Sequence, residues 1–228
     1  MIKIEHFEEL TSTQEYVKSK WSEGQNLIVT ADRQTSGRGT KGRSFSSNEG
    51  GVYVSKLTFY DNFPTKDAFK IMAGSAVAAC ETLRAYGIWA CIKWPNDIFV
   101  NDRKISGMLI ENVFSGRYIT SSAVGIGINV CNPLPDELRD IATTMRLETG
   151  KVFSVDEVRR RLIEELSKPA DMQKYQRYLG YMGEEVTLIL GDECVPATLL
   201  SVDEEGGLWV KIGQETRRLT AAEVSIRL

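Results

Sequence analysis

Histidine is almost missing from this chain of 228 residues, His6 being the only one. Ser-His-Asp and Cys-His catalysis would each have to run through that single imidazole, and no His/Cys spacing suits a zinc site. His6 falls in what reads as the first strand, where an edge or core role is enough. The four cysteines, Cys80, Cys91, Cys131 and Cys194, include no Cys-x-x-Cys pair, which fits free thiols in a reducing compartment. A surplus of positive charge is lacking too: 28 Lys and Arg stand against 31 Asp and Glu, a formal net charge of −3. The basic field of a nucleic-acid binder is therefore absent. No apolar run is long enough to span a bilayer, and the first six residues lack the apolar segment of a signal peptide. These absences predict a cytoplasmic protein with no nucleic-acid and no membrane partner, whose chemistry runs on Lys, Arg and carboxylates.

What is present is enough for a real core, since 42% of the residues are hydrophobic. Ser12-Thr13-Gln14-Glu15 has capping-box spacing and predicts a helix over 13–21. The apolar stripe Phe69, Met72, Ala73, Ala76, Ala79, Cys80, Leu83 predicts a helix over 67–86, ended by Gly87. Strands are expected at 26–31, 51–58, 89–93, 105–113 and 118–128. A second capping box at 154–157 opens a helix to about 166, Pro169 breaks it, and a shorter helix follows to about 180. Beyond Gly183 the texture changes to short strands separated by Gly-Asp and Glu-Gly-Gly turns, which reads as a small all-β barrel. The chain is thus expected to divide into a larger unit, 1–181, and a smaller one, 182–228.

Two segments carry chemistry. The first is Lys93-Trp94-Pro95-Asn96-Asp97, followed by Arg103-Lys104-Ile105-Ser106-Gly107. Pro95 suits a strand end, and turns at Asn96-Asp97 and Asn101-Asp102 would bring Lys93, Lys104 and Asp97 to one hairpin mouth. Two cations beside a carboxylate suit phosphate together with a metal ion; a surface hairpin with charged ends is the plainer reading. The second segment, Gln34 to Arg43, packs Gly37, Gly39 and Gly42 with Arg38, Lys41 and Arg43 between two strands. Glycines let backbone N–H groups converge on an anion, and each cation can add a charge-assisted bond worth about 1.5–3 kcal/mol. The segment is neither an NTPase phosphate loop nor a Rossmann fingerprint.

Together these strings resemble the biotin protein ligases, which activate biotin with ATP and transfer it to a carrier lysine. The family's Gly-Arg-Gly-Arg-x-Gly-Arg loop is matched by Gly37 to Arg43, its Lys-Trp-Pro-Asn-Asp by Lys93 to Asp97, and its Arg-Lys-hydrophobic-small-Gly by Arg103 to Gly107. Its Gly-x-Gly-hydrophobic-Asn is matched by Gly125 to Asn129, and its polar Ser-Thr-Asn start by Thr11 to Gln14. The resemblance implies an α+β fold, a mixed sheet with packed helices of the class II synthetase-like biotin/lipoate ligase type, with an SH3-like C-terminal barrel. It implies ATP, biotin and Mg2+ as ligands and a biotin carboxyl carrier protein as partner; the family often pairs through sheet edges, which leaves a homodimer open. Relatives that also repress transcription carry a helix-turn-helix domain ahead of this region, and the chain as given leaves no room for one.

Residue roles follow from the same resemblance. Lys104 matches the lysine that touches both the biotin carboxylate and the phosphate, with Lys93 a second cation. Asp97 would hold Mg2+, orient the incoming amine, or only cap its turn. Ser12, Thr13, Gln14 and Gln34 match positions around biotin's ureido ring, though Ser12 and Thr13 could serve as helix caps alone. Gly37, Arg38, Gly39, Thr40 and Arg43 match the loop over the adenylate, and Gly107 the end of the lysine element. Gly125, Gly127 and Asn129 match the adenine side, Phe45 stands where relatives commonly have Trp and could stack on the base, and Arg227 matches an arginine reaching the phosphates. Relatives usually have arginine where this chain has Thr40. Lipoate ligases share the chemistry, but their Arg-Arg-x-x-Gly-Gly-Gly loop is missing here; they and a non-catalytic biotin-binding module are the alternatives.

Overall fold

Alternation of apolar and small polar residues along Val52 to Leu57 and Tyr118 to Ile128 needs one sheet face packed on helices and another lined by something less apolar. A computed structural model, describing residues 2–221 and 224–227 apart from the side chains of Lys41, Ser225 and Arg227, shows how both faces are used. Along the chain come β1 (Lys3–Leu10), α1 (Thr13–Ser19), β2 (Leu27–Gln34), β3 (Val52–Pro64) and α2 (Ala68–Arg84). Next are β4 (Cys91–Lys93), β5 (Asp97–Val100), β6 (Arg103–Ser115), β7 (Tyr118–Ile128), α3 (Met145–Thr149), α4 (Val155–Glu165) and α5 (Met172–Tyr178). The last five strands are β8 (Glu185–Leu190), β9 (Glu193–Val202), β10 (Leu208–Ile212), β11 (Glu215–Leu219) and β12 (Val224–Arg227).

The seven-stranded sheet has the order β1-β2-β3-β7-β6-β5-β4, and only β1 and β2 run parallel. Val52, Val54, Ile126 and Ile128 from one face join Ala76, Ala79 and Leu83 of α2 and Val158 and Leu162 of α4 in the main core. On the other face α1 packs through Val17 on Leu27, Val29, Leu57 and Ala123. The N-cap predicted for α1 is formed, Ser12 Oγ accepting from the Glu15 N–H at 3.4 Å. No helix among the described residues is long and apolar enough to cross a membrane.

The C-terminal strands form one antiparallel sheet in the order β11-β10-β9-β8-β12. Among the described residues its edges, β11 and β12, do not pair, so the expected barrel is an open SH3-like sheet. Its apolar residues, such as Val186, Leu188, Leu199 and Leu208, instead continue the main core. The contact is made specific by the Trp94 indole N–H, which donates to the Gly206 carbonyl at 3.1 Å; next to it Tyr175 Oη of α5 donates to the Pro95 carbonyl at 3.0 Å and steadies the turn that carries the indole.

Candidate active site

The register of β3, β7 and β6 writes three rows across the α1-facing side of the sheet. Tyr53 faces Gly127, which faces Gly107, which faces Asp97; Ser55 faces Gly125, which faces Leu109; Leu57 faces Ala123, which faces Glu111. Glycine in the middle of a sheet sacrifices packing and marks a close approach by something else. Here a Cβ on Gly127 would run into the Phe45 ring, and one on Gly125 would lie 2.7 Å from Gln14 Oε1. The glycines therefore open a trough, walled by α1 and by the segment carrying Phe45.

Of the residues singled out from sequence, the trough gathers Ser12, Thr13, Gln14, Gln34, Arg38, Gly39, Thr40, Phe45, Asp97, Lys104, Gly107, Gly125 and Gly127. Ser55 lines it as well and was not legible beforehand. Gly37, Lys93, Arg43 and Asn129 stand outside the lining. The side chain of Arg227 lies outside the described residues.

One end of the trough is neutral and lined by linked amides and hydroxyls. Gln34 Oε1 accepts from the Thr13 N–H at 2.8 Å and from Thr13 Oγ1 at 3.0 Å, while its Nε2 donates to Ser47 Oγ at 2.8 Å. Thr13 Oγ1 also meets Ser55 Oγ at 2.9 Å, and Ser55 Oγ donates to Gln14 Oε1 at 3.2 Å. Gln14 Nε2 donates to Glu111 Oε2 at 2.9 Å and to the Ala123 carbonyl at 3.1 Å. Buried amides and hydroxyls of this kind demand partners, and linked in a chain they hold one another in place.

The other end is charged. Lys104 Nζ lies 2.6 Å from Asp97 Oδ1. The Lys104 backbone is fastened on both sides, its N–H donating to the Ile141 carbonyl and its carbonyl accepting from the Thr143 N–H, each at 2.9 Å. Lys93, the strand partner of Asp97, extends over the Phe99 ring, 4.5 Å from its centroid. Burial pushes the Lys93 ammonium below the usual lysine range; Asp97 opposes that shift and the charge on Lys104 adds to it. Among the described residues no three His, Cys, Asp or Glu side chains cluster as a metal site. Among the described residues Asp97 is the one carboxylate lining the trough.

The glycine-rich segment is closed on itself by backbone bonds, the Gly39 N–H to the Arg43 carbonyl at 2.7 Å and the Phe45 N–H to the Gly37 carbonyl at 2.9 Å. Arg43 turns onto Thr40, donating to its carbonyl at 3.3 Å and its Oγ1 at 3.2 Å. Asn129 works within the fold. Its Nδ2 donates to the Thr143 carbonyl and its Oδ1 accepts from Asn132 Nδ2, both at 3.1 Å, binding the strand that carries the glycines to the segment behind Lys104.

The site is thus a glycine-floored trough on a mixed sheet, neutral at one end and lysine-bearing at the other. Residues 6–129 match the model of the biotin/lipoate A/B protein ligase family, and the chain belongs to that family. It is 30% identical over 222 residues to the bifunctional ligase/repressor BirA of Bacillus subtilis, covering 89% of this chain and 66% of that protein. A biotin--[acetyl-CoA-carboxylase] ligase of Paracoccus denitrificans is 36% identical over 112 residues, covering 45% of this chain and 43% of that one. Among solved structures, the biotin protein ligase of Aquifex aeolicus in complex with biotin and ATP superposes with a TM-score of 0.79 at 32% identity, covering 99% of this chain and 98% of that one. The chain spans about two thirds of the length of the BirA proteins it matches, 66% and 65% for those of Bacillus subtilis and Escherichia coli.

Proposed function

We propose that this protein activates biotin with ATP to biotinyl-5′-AMP, releasing pyrophosphate, and passes the biotinyl group to a lysine of a biotin carboxyl carrier protein. The observation that carries this reading is the polarity of the trough. Biotin has a neutral ureido ring at one end and a carboxylate at the other, and the Thr13–Gln34–Ser55–Gln14 network and Lys104 stand at opposite ends in the same order. The ring needs acceptors for two N–H groups and a donor for one carbonyl, all of which a network of hydroxyls and amides can supply.

At the charged end an anion must approach a polyanion, so the work is positioning and charge neutralisation. Lys104 exchanges its Asp97 partner for the biotin carboxylate and the α-phosphate. Arg38 and the backbone around Gly39 and Thr40 border the phosphate, and Phe45, standing over the glycine floor, offers a face for the adenine. The oxygens of Asp97 suit a hard cation that arrives with nucleotide phosphates, as Mg2+ does with one or two carboxylates. Mg2+, when bound, neutralises phosphate charge. In the second step Asp97 holds the carrier amine by a hydrogen bond as the nitrogen attacks the acyl carbon of the mixed anhydride, forming the amide, breaking the acyl–phosphate bond and releasing AMP and the amine's proton. Residues 182–228 act as a second domain that braces the Trp94–Pro95 turn. The four cysteines are unpaired, which suits the cytoplasm.

Pyrophosphate release tests the reading: it should require biotin and ATP together and fail with lipoate or octanoate. Biotin binding without release would leave a sensor, and release with lipoate alone would overturn the assignment.

A further inference from the structure

Glu111 stands outside the trough, yet one of its oxygens decides how a trough residue is presented. It sits on β6 directly opposite Ala123 of β7, so sheet register sets the Glu111 carboxylate beside the Ala123 carbonyl. Both groups only accept hydrogen bonds, and the end of the Gln14 amide that meets them, at 2.9 and 3.1 Å, must therefore be its NH2. Both amide protons are consumed there. Gln14 Oε1 is left pointing over Gly125 with one lone pair taken by Ser55 Oγ and another free. The other Glu111 oxygen is held by Lys18 Nζ at 2.8 Å, which fixes the carboxylate in turn.

We propose that Glu111 is a positioning residue that locks Gln14 with its carbonyl oxygen toward the ligand, so that the site demands an N–H donor from the ring it binds. The inference rests on the ureido ring lying at this end of the trough. With the carboxylate gone, only the Ala123 carbonyl still holds the Gln14 NH2, and the amide can turn over and offer NH2 to the ligand by giving up that one bond. The site would then accept a ring carrying an oxygen where the N–H belongs. Lys18, one turn along α1 from Gln14, serves the same lock one step further back.

The test is calorimetric titration of the full chain, as wild type, Glu111→Gln and Lys18→Met, with biotin and with the two carbamate analogues in which one or the other ring N–H is replaced by oxygen. Wild type should bind biotin and reject one of the analogues by about tenfold or more, the scale of one hydrogen bond traded for an oxygen–oxygen contact. Glu111→Gln, which keeps the size of the side chain, should weaken biotin by about tenfold and lose most of that discrimination. Lys18→Met should fall between. A purely structural role would weaken all three ligands together, so discrimination retained in Glu111→Gln overturns the proposal. Should that variant fail to fold, discrimination unchanged in Lys18→Met counts against it in the same way. Wild type that does not bind biotin would sink the reading of the trough itself, a separate outcome.

Discussion

Lys104 and Asp97 meet at 2.6 Å although neither is the other's partner across the strands: Asp97 faces Gly107 and Lys104 faces Phe99. A bulge explains it. Ile98 faces Ser106 and the next residue, Phe99, faces Lys104, so Ile105 has no opposite number. Strict alternation would send Lys104 to the side of the sheet away from Gly107. The extra residue turns it back, and a Cβ on Gly107 would lie only 2.9 Å from Lys104 Nζ.

Lys104→Ala should therefore fold and fail at the first chemical step. Removing one preorganised charge of this kind lowers the rate by about 10²–10³. Single-turnover formation of biotinyl-AMP at saturating ligand measures it, and a near-wild-type rate would remove Lys104 from the mechanism.

Gly127→Ala should be destabilising through Phe45. The added methyl runs into the ring, and overpacking of this sort costs about 1–3 kcal/mol. Urea unfolding in the Phe45→Ala background should show at least half of that cost relieved. Equal losses in both backgrounds would mean that the ring is not what Gly127 accommodates.

Lys56 gives a pH prediction away from the site. Half-buried on β3, it donates to the Leu166 carbonyl at 2.7 Å, and burial lowers its pKa from the usual lysine value. Between the folded and unfolded pKa values the unfolded chain binds more protons, so stability rises with pH there. The penalty is fully present below the folded pKa and fades as pH climbs toward the unfolded value near 10.5. Unfolding of Lys56→Met compared with wild type at pH 7 and 10 should show the wild type gaining on the variant at the higher pH. A constant difference would refute the shift.

Thr40→Arg should slow the loss of biotinyl-AMP. Thr40 now serves Arg43 as an acceptor and places no charge beside the adenylate. An arginine there adds a charge-assisted bond worth about 1.5–3 kcal/mol, roughly ten- to a hundredfold in off-rate. Dissociation measured on both proteins decides the matter, with unchanged or faster release in the variant against it.

What could be read in advance was local chemistry. The turn at Pro95, Lys104 in the next turn-and-strand element, and the capping Ser12 declare themselves within a few positions, as does the long stripe of α2. Ser55, Ser47 and Glu111 could not be read. Their part in the polar network depends on register between β3, β6 and β7, which no single stretch of sequence fixes. The bulge at Ile105 escaped for the same reason, and β5 was hidden because four residues between two turn signals look like one loop. Asn129 follows a Gly-x-Gly motif and so was expected beside the base. Its amide bonds to Thr143 and Asn132 could not be read either, because the positions of those residues are set by a loop without periodicity.

The bond from the Trp94 indole to Gly206 bears on how this protein can be cut and recombined. Trp94 is 3% exposed, and the partner that satisfies its N–H belongs to the turn between β9 and β10. Truncation before β8 would leave that indole as a large apolar surface with an orphaned donor, three residues from Asp97. A graft bearing a foreign C-terminal sheet would have to reproduce one carbonyl in one place, along with the glycine that lets Phe69 lie against it. Interchangeable parts need seams with little chemistry in them, and this seam runs through the residue between Lys93 and Pro95, in the turn that leads to Asp97.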